Sequence, residues 1–204
     1  MNLYLIAVKN VPNILSVIRI LMAPLFLFMY LQDELIWRSL SIAVFVAAAI
    51  TDIFDGYIAR TYNVESPSGV FLDPLADKIL TFAGFICLPF IDPVQFPWWA
   101  IGFIVARDVV VTLLRVYADY KNIPIETRQS AKLKTLLQMV FLYIALLIGV
   151  FLQADIMFSS YVHSLMDTFI MGWFMIIVVV VTVYTGIEYL VVNRHLFARS
   201  KADG

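Results

Sequence analysis

The sequence predicts an all-α integral membrane protein built as a bundle of six transmembrane helices. Three observations predict it. Of 204 residues, 62% are hydrophobic and 14% charged, with a mean hydropathy of +0.90, whereas a soluble domain carries about 25% charged residues. The apolar residues gather into six runs of roughly the ~20 residues that cross a bilayer. Lysine and arginine are distributed unevenly among the connections between those runs.

The six runs are 11–31, 37–59, 74–91, 97–118, 133–153 and 168–192. Residues 1–10 read as a short interfacial leader with Lys9 as its one cation, and they lack the basic start and small-residue cleavage site of a signal peptide, so retention is expected. Trp37 opens the second run. Pro89, Pro93 and Pro97 punctuate the turn between the third and fourth, where Trp98 and Trp99 follow; Trp173 lies near the start of the sixth, as an interfacial aromatic belt would have it. Arg60 and Lys78 flank the connection after run two. Lys121, Arg128, Lys132 and Lys134 flank the one after run four, and Arg194, Arg199 and Lys201 lie in the tail at 193–204. The 92–96 and 154–167 connections carry no lysine or arginine. Both termini are therefore expected in the cytoplasm. Six runs use most of the chain, which reads as one membrane domain over 1–204.

Composition also excludes. A net charge of −1 gives no basic field for nucleic acid. One cysteine, Cys87, rules out an internal disulfide or a cysteine metal cluster and reads as a small buried hydrophobe. His163 and His195 lack ligand spacing and read as solvated or interfacial.

Four acids stand out in TDIFDGYIARTYNVESPSGVFLDPLADK, residues 51–78: Asp52, Asp55, Asp73 and Asp77. Asp52, Asp55, Gly56 and Ala59 share one helix face by spacing, and so do Asp73 and Asp77. Asp52 lies ~22 Å along the helix from Trp37, in the inner third of a core ~30 Å thick. Carboxylates gathered at that depth repel one another unless their pKa values rise or cations enter. Their oxygens suit Mg²⁺, Mn²⁺ or Ca²⁺, and a pair of such ions clamps phosphoryl chemistry. Gly56 and Gly69 let a flat base or sugar approach the backbone, and Arg60 can face a diphosphate. The bland alternative is that the acids are solvated caps and loop charges, with Asp73 before Pro74 as an ordinary N-cap. Intramembrane acids are costly enough to favour a functional reading of the set.

The window fits D-x₂-D-G-x₂-A-R-x₈-G-x₃-D-x₃-D through Asp52, Asp55, Gly56, Ala59, Arg60, Gly69, Asp73 and Asp77. In this it resembles the CDP-alcohol phosphatidyltransferase family. VPNILSVIRILMAP, FLDPLADKIL, RDVVVTLLR and KLKTLLQMV are similar to members that use glycerol 3-phosphate as acceptor. The resemblance covers about residues 9–145, and the last run is generic. It implies a six-helix bundle, a homodimer, and a polar cavity open to the cytoplasm of a bacterial inner membrane. It implies that Asp52, Asp55 and Asp73 hold Mg²⁺ or Mn²⁺, two ions in all, with Asp77 sharing them and acting as general base. Asn13, Gly56, Ala59, Arg60 and Gly69 would contact the nucleotide. The implied reaction is direct displacement, an acceptor alkoxide attacking the phosphorus of CDP-diacylglycerol beside its diacylglycerol and releasing CMP.

The acceptor must be read elsewhere. Arg107 and Arg115 lie eight apart on the fourth run. Lys132 and Lys134 open the fifth, two apart and so on different faces, and Arg19 lies inside the first. Such cations would meet a phosphorylated acceptor, glycerol 3-phosphate. All but Arg115 have a plainer role open: topology for the two lysines, an ion pair with Asp108 for Arg107, electrostatic bracing for Arg19. Phosphatidylglycerol as acceptor, giving cardiolipin, is an alternative within the family, and a divalent-cation carrier is one outside it.

Overall fold

The computed structural model describes residues 3–62, 67–121, 129–154 and 159–194; the side chains of 3–12, 52–62, 67–74 and 131 lie outside what is described. Every regular element in it is helical. In order they are α1 (Leu3–Tyr30), α2 (Leu35–Tyr62), α3 (Pro67–Cys87) continuing into a 3₁₀ turn at Leu88–Phe90, α4 (Trp98–Tyr120), α5 (Gln129–Gln153), α6 (Ser159–Asp167) and α7 (Ile170–Val192). Among the described residues, three helical stretches are long and apolar enough to cross a membrane: Asn13–Tyr30, Lys132–Gln153 and Ile170–Val192. The protein is a membrane protein.

α1 packs along α2 and α3, while α7 packs on α4 and α5. α5 joins the two groups through contacts with α2 and α3. Large side chains fill the seam. Phe26 of α1 meets Phe45 of α2 at 4.8 Å between ring centres, and Phe45 meets Tyr143 of α5 at 5.4 Å. Phe141 of α5 sits among Phe85, Phe96 and Phe174. Cys87 is fully buried in this core, as its sequence setting predicts.

One end of the bundle is closed by polar clasps. Arg38 gives Nε to the Tyr30 carbonyl (3.1 Å) and Nη1 to that of Gly149 (3.4 Å), and the Tyr30 hydroxyl donates to Leu146 O at 2.9 Å. A Cβ on Gly149 would collide with that hydroxyl, so glycine there lets α1 approach α5. Gln95, in the α3–α4 turn, donates to Met166 O (2.6 Å) and accepts from the Gly172 amide (3.0 Å). This ties the turn to the α6–α7 junction, where Phe169 adopts φ 57°. Trp37, Trp98, Trp99 and Trp173 are all exposed at this end.

Several boundaries differ from the sequence reading, and proline explains two of them. α1 begins at Leu3, so the leader is continuous with the first helix and Pro12 lies inside it rather than at its start. α3 begins at Pro67, which puts Pro74 in the helix interior and removes the N-cap reading of Asp73. Proline favours a first turn, but membrane helices tolerate it internally because neighbouring groups take up the missing bond. The connection 154–167 contains α6, whose Val162 is buried while Tyr161 and His163 are exposed.

Candidate functional site

The opposite end carries the residues that the sequence singles out. α2 ends and α3 begins there, so the backbone places Asp52 and Asp55 late in α2 and Asp73 and Asp77 early in α3. Both helices lie along α1. The side chains of Asp52, Asp55, Gly56, Ala59, Arg60, Gly69 and Asp73 lie outside the described residues. Asp77 is described: its carboxylate is half-buried, with Oδ2 3.5 Å from Lys78 Nζ. Among the described residues no group of three metal-ligating side chains forms; three of the four acids expected to make one are outside that set.

Lys78 leads from Asp77 to a second acid. Its Nζ is also 3.5 Å from Oδ2 of Asp108, whose side chain is wholly buried on α4. Asp108 Oδ1 accepts from Lys134 Nζ at 2.5 Å and from Arg107 Nη1 at 3.1 Å, and Gln138 Nε2 reaches Oδ2 at 3.5 Å. Lys134 and Gln138 are one turn apart on α5 and so face α4 together. A buried carboxylate is costly unless paired and hydrogen-bonded. Here both oxygens are engaged, by three cations and an amide from α3, α4 and α5. Asp108 is the knot that fixes these three helices at this end.

Beside the knot lies a cavity of about 620 Å³ between α4, α5 and α7. Lys78, Arg107, Arg115 and Lys132 line it, with Asp108 the one acid among its lining residues. Arg107, Val111 and Arg115 recur at i, i+4 and i+8, so one face of α4 supplies that wall. Four cations stand against one carboxylate, in a wall otherwise of Val111, Thr112, Thr135, Leu136, Met139 and Tyr189, so the lining is net positive. A low-dielectric surround strengthens each of those charges toward a ligand.

Of the five cations expected to meet an acceptor, the structure brings Arg107, Arg115 and Lys132 to this cavity. Lys134 does not line it. It is 2% exposed and paired with Asp108, while Lys132, two residues earlier, is exposed. That split follows from their different helix faces. Arg19 is fully buried in α1 and is not among the lining residues. Asn13 is partly buried in α1. Arg107 proves to be both things weighed for it, paired with Asp108 and lining the cavity.

Sequence reasoning missed Lys78 as a cavity residue, Asp108 as a hub and the polar edge of α7. On α7, Thr182, Thr185 and Tyr189 are buried, and Glu188 accepts from Ser130 of α5 at 2.5 Å. The signal existed: Asp108 is an acid within an apolar run, and Thr182, Thr185 and Glu188 recur every three residues in a segment otherwise rich in valine.

Comparison with known proteins bears on this arrangement. A profile of the CDP-alcohol phosphatidyltransferase family matches residues 9–184. A Rickettsia typhi protein named CDP-diacylglycerol–glycerol-3-phosphate 3-phosphatidyltransferase is 39% identical over 140 residues, 68% of this chain and 77% of its own. A Mycobacterium tuberculosis protein named probable phosphatidylglycerophosphate synthase is 35% identical over 136 residues, covering 65% and 64%. A Schizosaccharomyces pombe protein, named as a fusion of CMP-forming cardiolipin synthase and a mitochondrial hydrolase, is 37% identical over 115 residues, 56% of this chain and 18% of its own. The family profile reaches from α1 into α7 and includes the acid-bearing ends of α2 and α3 and the cavity residues of α3, α4 and α5, and the chain belongs to the CDP-alcohol phosphatidyltransferase family.

Proposed function

We propose that the protein is a phosphatidylglycerophosphate synthase: it transfers the phosphatidyl group of CDP-diacylglycerol to glycerol 3-phosphate, giving phosphatidylglycerophosphate and CMP. The observation that carries this reading is Lys78, which touches Asp77 at 3.5 Å and also lines the cationic cavity. The acid nominated as base therefore stands next to a site built for an anion. A small acceptor bearing a phosphate and a hydroxyl could anchor the first in the cavity and offer the second to Asp77.

In this reading Asp77 removes the proton of the acceptor hydroxyl. The resulting alkoxide attacks the phosphorus that carries the diacylglycerol, that phosphorus–oxygen bond forms, and the bond to the CMP oxygen breaks. Arg60 faces the diphosphate, and Asn13, Gly56, Ala59 and Gly69 accommodate the cytidine. Asp52, Asp55 and Asp73, with Asp77, would supply the all-carboxylate donor set that hard divalent ions take, so Mg²⁺ or Mn²⁺ suits these residues, and four carboxylates are enough to share two ions. Such ions, when bound, supply charge neutralisation at the diphosphate and on departing CMP. Lys134 and Arg19 act from the interior, the first by holding Asp108.

The same reading assigns six membrane spans, with α6 on the tryptophan-bearing side. The polar cavity opens to the cytoplasm of a bacterial inner membrane, both termini lie on that side, and the working unit is a homodimer. The lysines and arginines at the cavity end support this orientation.

Arg115 and Lys132 are exposed, so their replacement tests the acceptor site with little risk to folding. Arg115→Ala and Lys132→Ala are each expected to raise the KM for glycerol 3-phosphate roughly tenfold, as loss of a charge-assisted bond does. The KM for CDP-diacylglycerol should stay within about twofold. A rise confined to CDP-diacylglycerol would move the acceptor site elsewhere.

A further inference from the structure

Arg107 reaches its place by lying across α7. Its side chain is 13% exposed. Nη1 is held by Asp108 at 3.1 Å and Nη2 by the Thr185 hydroxyl oxygen at 3.3 Å. That hydroxyl lies 2.9 Å from the Val181 carbonyl and 3.0 Å from that of Thr182. Its proton can go back into its own helix, and the oxygen accepts from the guanidinium. Two anchors on two helices fix the plane of a rigid fork.

The aliphatic part of Arg107 needs room to make this crossing, and Gly186 provides it. A Cβ at 186 would stand 2.8 Å from Arg107 Cγ and 3.5 Å from its Nε. Cγ is near the root of the side chain, not at its free end. A methyl group there cannot be avoided by swinging the tip; the whole arginine has to be redirected. The backbone of Gly186 is ordinary helix, so glycine is required for space alone.

We propose that Thr185 and Gly186 are positioning residues for the acceptor phosphate. α7 carries none of the acidic motif, yet through this pair it sets where the Arg107 guanidinium sits in the cavity wall. The proposal rests on the reading that Arg107 meets the phosphate of glycerol 3-phosphate. It adds that acceptor affinity is tuned from the last helix, by one hydroxyl and one missing side chain.

The test is a double-mutant cycle on the full-length protein in detergent micelles with CDP-diacylglycerol, glycerol 3-phosphate and Mg²⁺. Gly186→Ala is expected to raise the acceptor KM roughly tenfold, with kcat and the KM for CDP-diacylglycerol within about threefold. Thr185→Val should act in the same direction, and Thr185→Ser should restore the wild-type value. In an Arg107→Ala background, Gly186→Ala should add less than about twofold, because the atoms it strikes are gone. Equal effects of Gly186→Ala with and without Arg107 would overturn the proposal, since a general packing defect behaves that way. So would an unchanged acceptor KM in Gly186→Ala alongside a raised one in Arg107→Ala. If Arg107→Ala itself leaves the acceptor KM unchanged, the acceptor-site reading falls, and this proposal with it.

Discussion

Replacing Asp108 by asparagine is expected to be the most damaging single change in the protein. The amide keeps the shape but removes the one buried negative charge to which Lys78, Arg107 and Lys134 all point. Lys134, 2% exposed, would be left as a buried cation facing two others. Breaking a buried pair from one side costs about 3–5 kcal/mol. For a chain of this size that corresponds to a fall of roughly 10 °C in the midpoint of thermal unfolding in detergent. Turnover should fall at least ~100-fold even below that midpoint, because Arg107 and Lys78 lose their shared anchor and small misplacements are expensive. Combining Asp108→Asn with Lys134→Met should recover much of the stability, since it removes the most deeply buried of the three cations and leaves only the partly exposed Lys78 and Arg107 without Asp108, but should not recover the acceptor KM. An Asp108→Asn protein with wild-type stability and turnover would show that the knot does not hold the site.

Asp77→Asn is expected to separate chemistry from stability in the opposite way. Its carboxylate is half-buried and its observed charge partner, Lys78, retains Asp108. A partly exposed pair is worth at most about 1 kcal/mol, so the unfolding midpoint should barely move. Turnover should nonetheless drop on the order of 10²–10⁴-fold, the usual contribution of a positioned base, and CDP-diacylglycerol binding should largely survive. Normal turnover in this variant would remove Asp77 from the base role.

How far the sequence carried these conclusions depends on which force acts at each place. The long apolar helices were legible because hydropathy alone drives them, and α5 and α7 lie close to where their runs suggested. Starts were less legible where proline stood. Pro12 and Pro74 read as openings, yet each lies inside its helix, because tertiary packing overrides a local preference. α6 was missed because SSYVHSLMD is short and mixed, with Val162 its one buried residue. At the site, the spacing of Arg107 and Arg115 foretold a shared wall, and the two-residue offset of Lys132 and Lys134 foretold their separation. At Asp108 an acid within an apolar run was visible, but the partners that make it a hub were not. Its partners come from positions 78, 107, 134 and 138, and only the three-dimensional packing of α3, α4 and α5 brings them to one carboxylate. Gly186 was invisible for the same reason, since its role is the space it leaves for a residue 79 positions away.

The most direct test of the central claim is an acceptor competition. Purified protein receives CDP-diacylglycerol with Mg²⁺ or Mn²⁺, glycerol 3-phosphate and phosphatidylglycerol are offered together, and CMP release is followed while the lipid product is identified by mass. The account predicts phosphatidylglycerophosphate in step with CMP. Cardiolipin as the product, or no CMP release with glycerol 3-phosphate present, would contradict it.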